Sequence, residues 1–126
     1  MNDTNKWDIA SQALKAEFGL DADEMPSVAG IKEIFFEITE PNNLSQNACN
    51  ALMYGLYFYG YVSLLDAMYS EDKSFELPDL SGINPVLESA DVWAQKAQDA
   101  ELLNKLSQPI IKYTQELLIK LKSVKQ

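Results

Sequence analysis

The sequence predicts an all-α, single-domain bundle of about five helices around a central Tyr-rich apolar helix. Apolar residues recur at helical spacing in successive segments of the 126-residue chain, and capping or breaking residues punctuate those segments. One long stretch, Leu44 to Leu65, carries no charged residue. A chain of this length can hide roughly two-thirds of its unfolded surface, so a core without disulfides is feasible. Hydrophobic residues make up 47% and charged residues 23%, the balance of a folded domain and not of a disordered chain.

The first helix is expected from about Asp3 or Thr4 to Phe18. Trp7, Ala10, Leu14 and Phe18 share its inner face, and Gly19 is a natural C-cap. Asp21 to Pro26 reads as an acidic loop. A second helix spans about Ser27 to Thr39, with Val28, Ile31, Ile34, Phe35 and Ile38 as its apolar stripe. The β-branched and aromatic content of this segment makes a strand the rival reading. Ile34, Phe35 and Phe36 are consecutive, however, which breaks a strict alternation and favours the helix. Pro41-Asn42-Asn43 ends it.

The third and central helix is expected over Leu44 to Tyr69, with Asn43 and Gln46 as a capping box. A membrane span is rejected, because only the fifteen residues Ala51 to Leu65 are continuously apolar or mildly polar. Ser45, Gln46, Asn47 and Asn50 flank them on one side, and Asp66, Glu71 and Asp72 on the other. Tyr54, Tyr57, Tyr59 and Tyr61 sit mid-segment, whereas membrane aromatics gather at the two interfaces. A helix apolar all round must instead be touched by neighbours on most sides. Gly55 and Gly60 lower helix propensity and point to close approach of a helix or a bulky side chain.

Ser70 to Ile83, with Pro78 and Gly82, lacks helical period and reads as a long loop, tacked to the core by Phe75, Leu77 and Leu80. Asn84-Pro85 signals a helix start. Val86, Ala90, Trp93, Ala97 and Leu103 carry its stripe to about Leu106. Pro109 is expected to break or kink the chain there, with Ser107 capping a last helix from about Pro109 to Val124. In that helix Ile110, Thr114, Leu117, Leu118 and Leu121 face inward, and Lys112, Glu116, Lys120 and Lys122 face water. Lys120, Lys122 and Lys125 suit the negative end of the helix dipole.

Charge narrows the function. Ten lysines oppose 19 acids for a net charge of −9, and the chain has neither Arg nor His. Without His there is no imidazole base, nucleophile relay or imidazole metal ligand. Without Arg there is no bidentate phosphate clamp. A pI near 4.3 opposes nucleic acids and anionic membranes. The lone Cys49 cannot form an internal disulfide and reads as a small buried hydrophobe. Asp21-x-Asp23 begins like a calcium loop, but Pro26 stands where Gly is required. No metal site and no cofactor are expected. Met1 to Lys6 lacks the apolar stretch of a signal peptide, so the expectation is a cytoplasmic protein.

What remains is binding. Residues 1–100 hold 5 lysines against 17 acids, net −12, and residues 101–126 hold 5 against 2, net +3. The acids are densest at Asp21, Asp23, Glu24, Glu33, Glu37 and Glu40. The last three line one helical face at i, i+4 and i+7, which is either a solvated face or a stripe that docks on a basic partner. Tyr54, Tyr57, Tyr59 and Tyr61 are either core residues with satisfied hydroxyls or, for some of them and with Met53, the lining of a groove, since four within eight residues exceed what a core needs. The first expectation is an acidic, non-enzymatic binding protein of the immunity or inhibitor type, neutralising a basic partner such as a bacterial toxin enzyme. Its general character resembles that of the small helical immunity proteins of bacterial nuclease toxins, in class only and without a shared motif. The alternatives are a small acidic secretion or assembly chaperone holding an apolar client segment, a small-ligand-binding helical domain, or a homo-oligomer with the Tyr helix at its interface.

Overall fold

The computed structural model describes residues 3–79 and 84–125, and the side chains of residues 6–79 and 84–124. The periodic segments form five helices: α1 (Asp3–Phe18), α2 (Val28–Asn42), α3 (Gln46–Glu71), α4 (Asn84–Lys96) and α5 (Ala100–Lys125), with one 3₁₀ turn at Ala22–Glu24. The architecture is all-α, with no strand among the described residues. No helix among them is long and apolar enough to cross a membrane.

The boundaries from the end of α1 to the start of α3 have local causes. After α1, Gly19 adopts a left-handed φ of 70° that costs glycine nothing, and its N–H bonds back to Lys15 O at 2.8 Å. α2 runs three residues beyond the expected Thr39, taking Pro41 into its last turn. Proline there removes only one backbone bond, to the carbonyl of the exposed Glu37. Asn43 then turns left-handed, and the N–H groups of Asn43 and Leu44 close back on the carbonyls of Glu40 and Thr39. Asn43 therefore stops α2 and does not start α3, which corrects the expected capping box. The N-cap of α3 is Ser45, whose Oγ accepts from the Ala48 N–H at 3.2 Å.

α3 packs against each of the other four helices. Every residue from Ala48 to Tyr54 is buried, as an all-round apolar segment demands. Side-chain pairings set the directions. Lys6 reaches Leu44 O and Glu17 meets Tyr54, so α1 and α3 run in the same sense. Asn47 bonds Lys96 O, so α4 runs opposite to α3. Tyr59 packs on Tyr113 and Lys120 bonds Asp66, so α5 runs with α3. Trp7 meets Phe35 edge-on at 5.2 Å in the seam between α1 and α2. Phe75 and Leu77 pack the loop after α3 onto the core. Leu80 and Gly82 lie outside the described residues, as does the Lys125 side chain.

The break between the last two helices falls at residues 97–99, ten residues before the expected Pro109. α4 stops at Lys96, and α5 continues through Pro109 without interruption. Pro109 and Lys105, whose carbonyl loses its partner, are both exposed, so the missing bond is left to solvent. Ser107, far from capping a helix, lies inside α5 and donates its hydroxyl to Leu103 O at 2.8 Å. The true reversal is fixed across the fold. Asp99 starts α5, and its carboxylate accepts from Ser45 N at 2.8 Å and from Ser45 Oγ at 2.6 Å.

The two glycines of α3 differ. At Gly60 an added Cβ would sit 3.3 Å from Met25 Sδ and 3.4 Å from Ile31 Cδ1, so Gly60 does admit close approach. At Gly55 nothing lies within 4 Å. Gly55→Ala should therefore stabilise the protein by up to about 1 kcal/mol through helix propensity alone. Gly60→Ala should gain little or lose stability, because two side chains must shift. Paired thermal melts of the two variants test the contrast, and equal gains would contradict it.

Candidate functional site

The acidic stripe is placed as its periodicity implied. Ile31, Phe35 and Thr39 form the buried side of α2, and Glu33, Glu37 and Glu40 are exposed on the other. None of the three carboxylates makes a hydrogen bond or ion pair with another described residue. Like charges one turn apart repel by a few tenths of a kcal/mol per pair, and no cation among the described residues pairs with them.

Asp21 and Asp23 are engaged within the fold. Asp21 Oδ1 caps the 3₁₀ turn by accepting from Asp23 N at 3.0 Å, and Oδ2 lies 3.8 Å from Lys15 Nζ. Asp23 Oδ1 accepts from the Trp7 indole at 3.0 Å and lies 3.8 Å from Lys32 Nζ. Lys32 also stands 5.3 Å above the Trp7 ring. Asp23 thus tethers the loop to α1 and α2. Glu24 is exposed beside them, its carboxylate without such a partner among the described residues.

The four tyrosines do not share one groove. Tyr57 and Tyr61 line a cleft of about 210 Å³ together with Asp21, Glu24 and Met25. Tyr59 turns to α5, 6.0 Å from Tyr113. Tyr54 is wholly buried, edge-on to Phe18, and its hydroxyl donates to Glu17 Oε1 at 2.7 Å. Met53 is wholly buried as well.

Glu17 Oε2 accepts from Ser89 Oγ at 2.6 Å, so one carboxylate ties α1, α3 and α4. The Ser89 bond above all, with Tyr54 and the Lys96 charge, holds the Glu17 carboxyl below its usual range despite desolvation. Burial, reinforced by the Glu17 hydrogen bond and charge, pushes the Tyr54 phenol up to about 12. Its folded value stands above the unfolded one, so its contribution to stability is whole below about pH 10 and is lost as pH rises through the folded value. Tyr54→Phe should remove that alkaline component. Urea midpoints compared between neutral and alkaline pH check this, and equal alkaline losses in both proteins would refute it.

A second concavity is apolar. α3, α4 and α5 enclose a trough of about 240 Å³, whose wall includes Ala51, Gly55, Leu56, Leu87, Ala90, Ala94 and Ile110. Small residues on α3 and α4 keep it open, and Asp91 is the charged residue of its lining among the described residues. Cys49 is wholly buried near Leu44 O. Among the described residues no group of three or more Cys, Asp or Glu is placed to hold a metal ion.

The Glu17–Tyr54–Ser89 tie, the Ser45–Asp99 junction and the trough were not singled out from sequence. Only the trough had a local signal, the small and apolar residues Leu87, Ala90 and Ala94 on one face of α4. No protein-family model matches the chain, and no curated protein or solved structure matches it either. Function has to be argued from surface chemistry.

Proposed function

We propose that the protein is an acidic binding module that neutralises a basic protein partner, in the manner of an immunity or inhibitor protein, and that it acts without catalysis in the cytoplasm. The exposed Glu33–Glu37–Glu40 stripe, which lacks any internal cation among the described residues, carries this reading. Such a row is mildly unfavourable to the folded chain and becomes favourable only when a positive surface covers it. The net charge of −9 extends the attraction beyond contact and speeds encounter at low salt.

The triple variant Glu33→Lys, Glu37→Lys and Glu40→Lys should fold with an unchanged melting profile, because all three side chains face water. Its association rate with a basic protein captured on the wild type at low salt from a cell extract should fall by about tenfold or more at low salt. Stopped-flow or surface-based kinetics measure this, and an unchanged rate would falsify the reading. A chaperone reading is favoured by one observation, the apolar trough among α3, α4 and α5. That mode predicts association nearly insensitive to salt, whereas the acidic stripe predicts steep weakening.

A further inference from the structure

The cleft between the 3₁₀ turn and the second half of α3 brings together two groups of residues that lie more than thirty positions apart in the chain. Tyr57 and Tyr61, one turn apart and half-buried, form its aromatic wall. Met25 joins the lining, seated against Gly60, where any larger residue would press on its sulfur. Asp21 and Glu24 complete the lining, and no lysine is part of it. Neither tyrosine hydroxyl has a hydrogen-bond partner among the described residues. At about 210 Å³ the cleft has room for one long side chain and not for a folded segment.

Aromatic faces carry negative charge density, so a ring wall beside carboxylates selects cations over neutral groups. An anion would meet both carboxylates and the field of the whole chain. A purely apolar group would leave the Glu24 carboxylate at the cleft without a partner among the described residues. Only an apolar stem ending in a positive head satisfies both halves. We propose that this cleft receives one lysine or arginine side chain of the basic partner, its stem against Tyr57, Tyr61 and Met25 and its head between Asp21 and Glu24. The proposal rests on the basic-partner reading above and makes the cleft its anchor. The stripe on α2 begins within two turns of the cleft's rim at Ser27, so one partner surface can cover both.

The test uses n-butylammonium and n-butylguanidinium as probes, with n-butanol and butyrate as controls, read on the tyrosine ring resonances of the whole protein by NMR. Saturable shifts at Tyr57 and Tyr61 with the cations alone, Tyr69 and Tyr113 remaining still, are the expected result. Glu24→Gln should weaken that binding several-fold. Its carboxylate is exposed and has no partner among the described residues, so loss of folding does not explain the effect. n-Butanol shifting the same rings equally, or Glu24→Gln leaving cation binding unchanged, would overturn the proposal. Spermidine binding far more tightly than a lysine dipeptide would also overturn it, by assigning the cleft to a free polyamine. The α2 charge-reversal variant separates the two readings, because its substitutions lie outside the cleft. Failed probe binding with a salt-dependent, stripe-dependent partner rate defeats the cleft alone. Probe binding with a stripe-independent partner rate defeats the basic-partner reading.

Discussion

Trp7→Ala is expected to destabilise the protein by about 3–5 kcal/mol. Domains of this kind are stable by only about 5–15 kcal/mol, so the variant should be largely unfolded in mild denaturant. Trp7 is wholly buried. Its ring meets Phe35 edge-on at 5.2 Å and lies 6.3 Å from Phe36, so its removal opens the seam between α1 and α2. The loss is also polar. The indole N–H is a hydrogen-bond donor to Asp23, and Lys32 sits over the ring face. Truncation therefore unties the 3₁₀ turn from α1 as well as leaving a cavity. Trp7→Phe separates the two parts, because it keeps most of the aromatic volume and loses the indole donor. It should cost less than the alanine variant. Urea unfolding followed by circular dichroism gives both values, with Trp93 as an independent fluorescent probe. A cost below about 1 kcal/mol for Trp7→Ala would mean that the site collapses around the gap, and that α1 does not depend on this residue.

The contrast between Trp7 and Asp99 shows what the sequence could reveal. Trp7, Ala10, Leu14 and Phe18 repeat at the period of a helix, and Gly19 marks its end, so α1 was legible from neighbours in the chain. The same holds for the Glu33, Glu37 and Glu40 stripe, because a face of one helix is a local property. The boundary between α4 and α5 was not legible in this way. Pro109 is the strongest local breaker in that region, yet α5 tolerates it where the freed carbonyl meets solvent. The local warning was the step from Ala97 to Leu103, six residues that turn the helix roughly 240° away from its stripe. What fixes the reversal is Ser45, 54 positions away from Asp99. Glu17 and Ser89 are 72 positions apart, and no periodicity connects them. The cleft follows the same rule: its acids and its tyrosines were each conspicuous, and only the packing of α3 against the 3₁₀ turn places them together.

Asp99→Ala should cost about 2–3 kcal/mol, mainly by leaving the Ser45 donors without their charged acceptor. The junction joins two chain reversals, the corner between α2 and α3 and the corner between α4 and α5. Ser45 Oγ faces both ways: it donates to Asp99 and accepts from Ala48 N. Losing the carboxylate therefore weakens the start of α3 as well as the docking of α5. Burial pushes the Asp99 carboxyl up, but the Ser45 hydroxyl and amide outweigh it, so the folded value lies below the ordinary one. A carboxyl held low contributes its stability above the unfolded value, near pH 4, and loses it as pH falls through the folded value. The stability gap between wild type and Asp99→Asn should thus be widest near neutrality and close in acid. Asparagine can still start α5, so the comparison isolates the charge. Glu17 and Asp72 also titrate low and weaken both proteins in acid, which is why the difference between the two curves, and not the wild-type curve alone, reports on Asp99. Melting temperatures measured across the acid range decide the matter. A gap constant with pH would show that the Ser45 contacts do not depend on ionised Asp99, and that the two corners are held by their other contacts, among them the bond from Asn47 to Lys96 O.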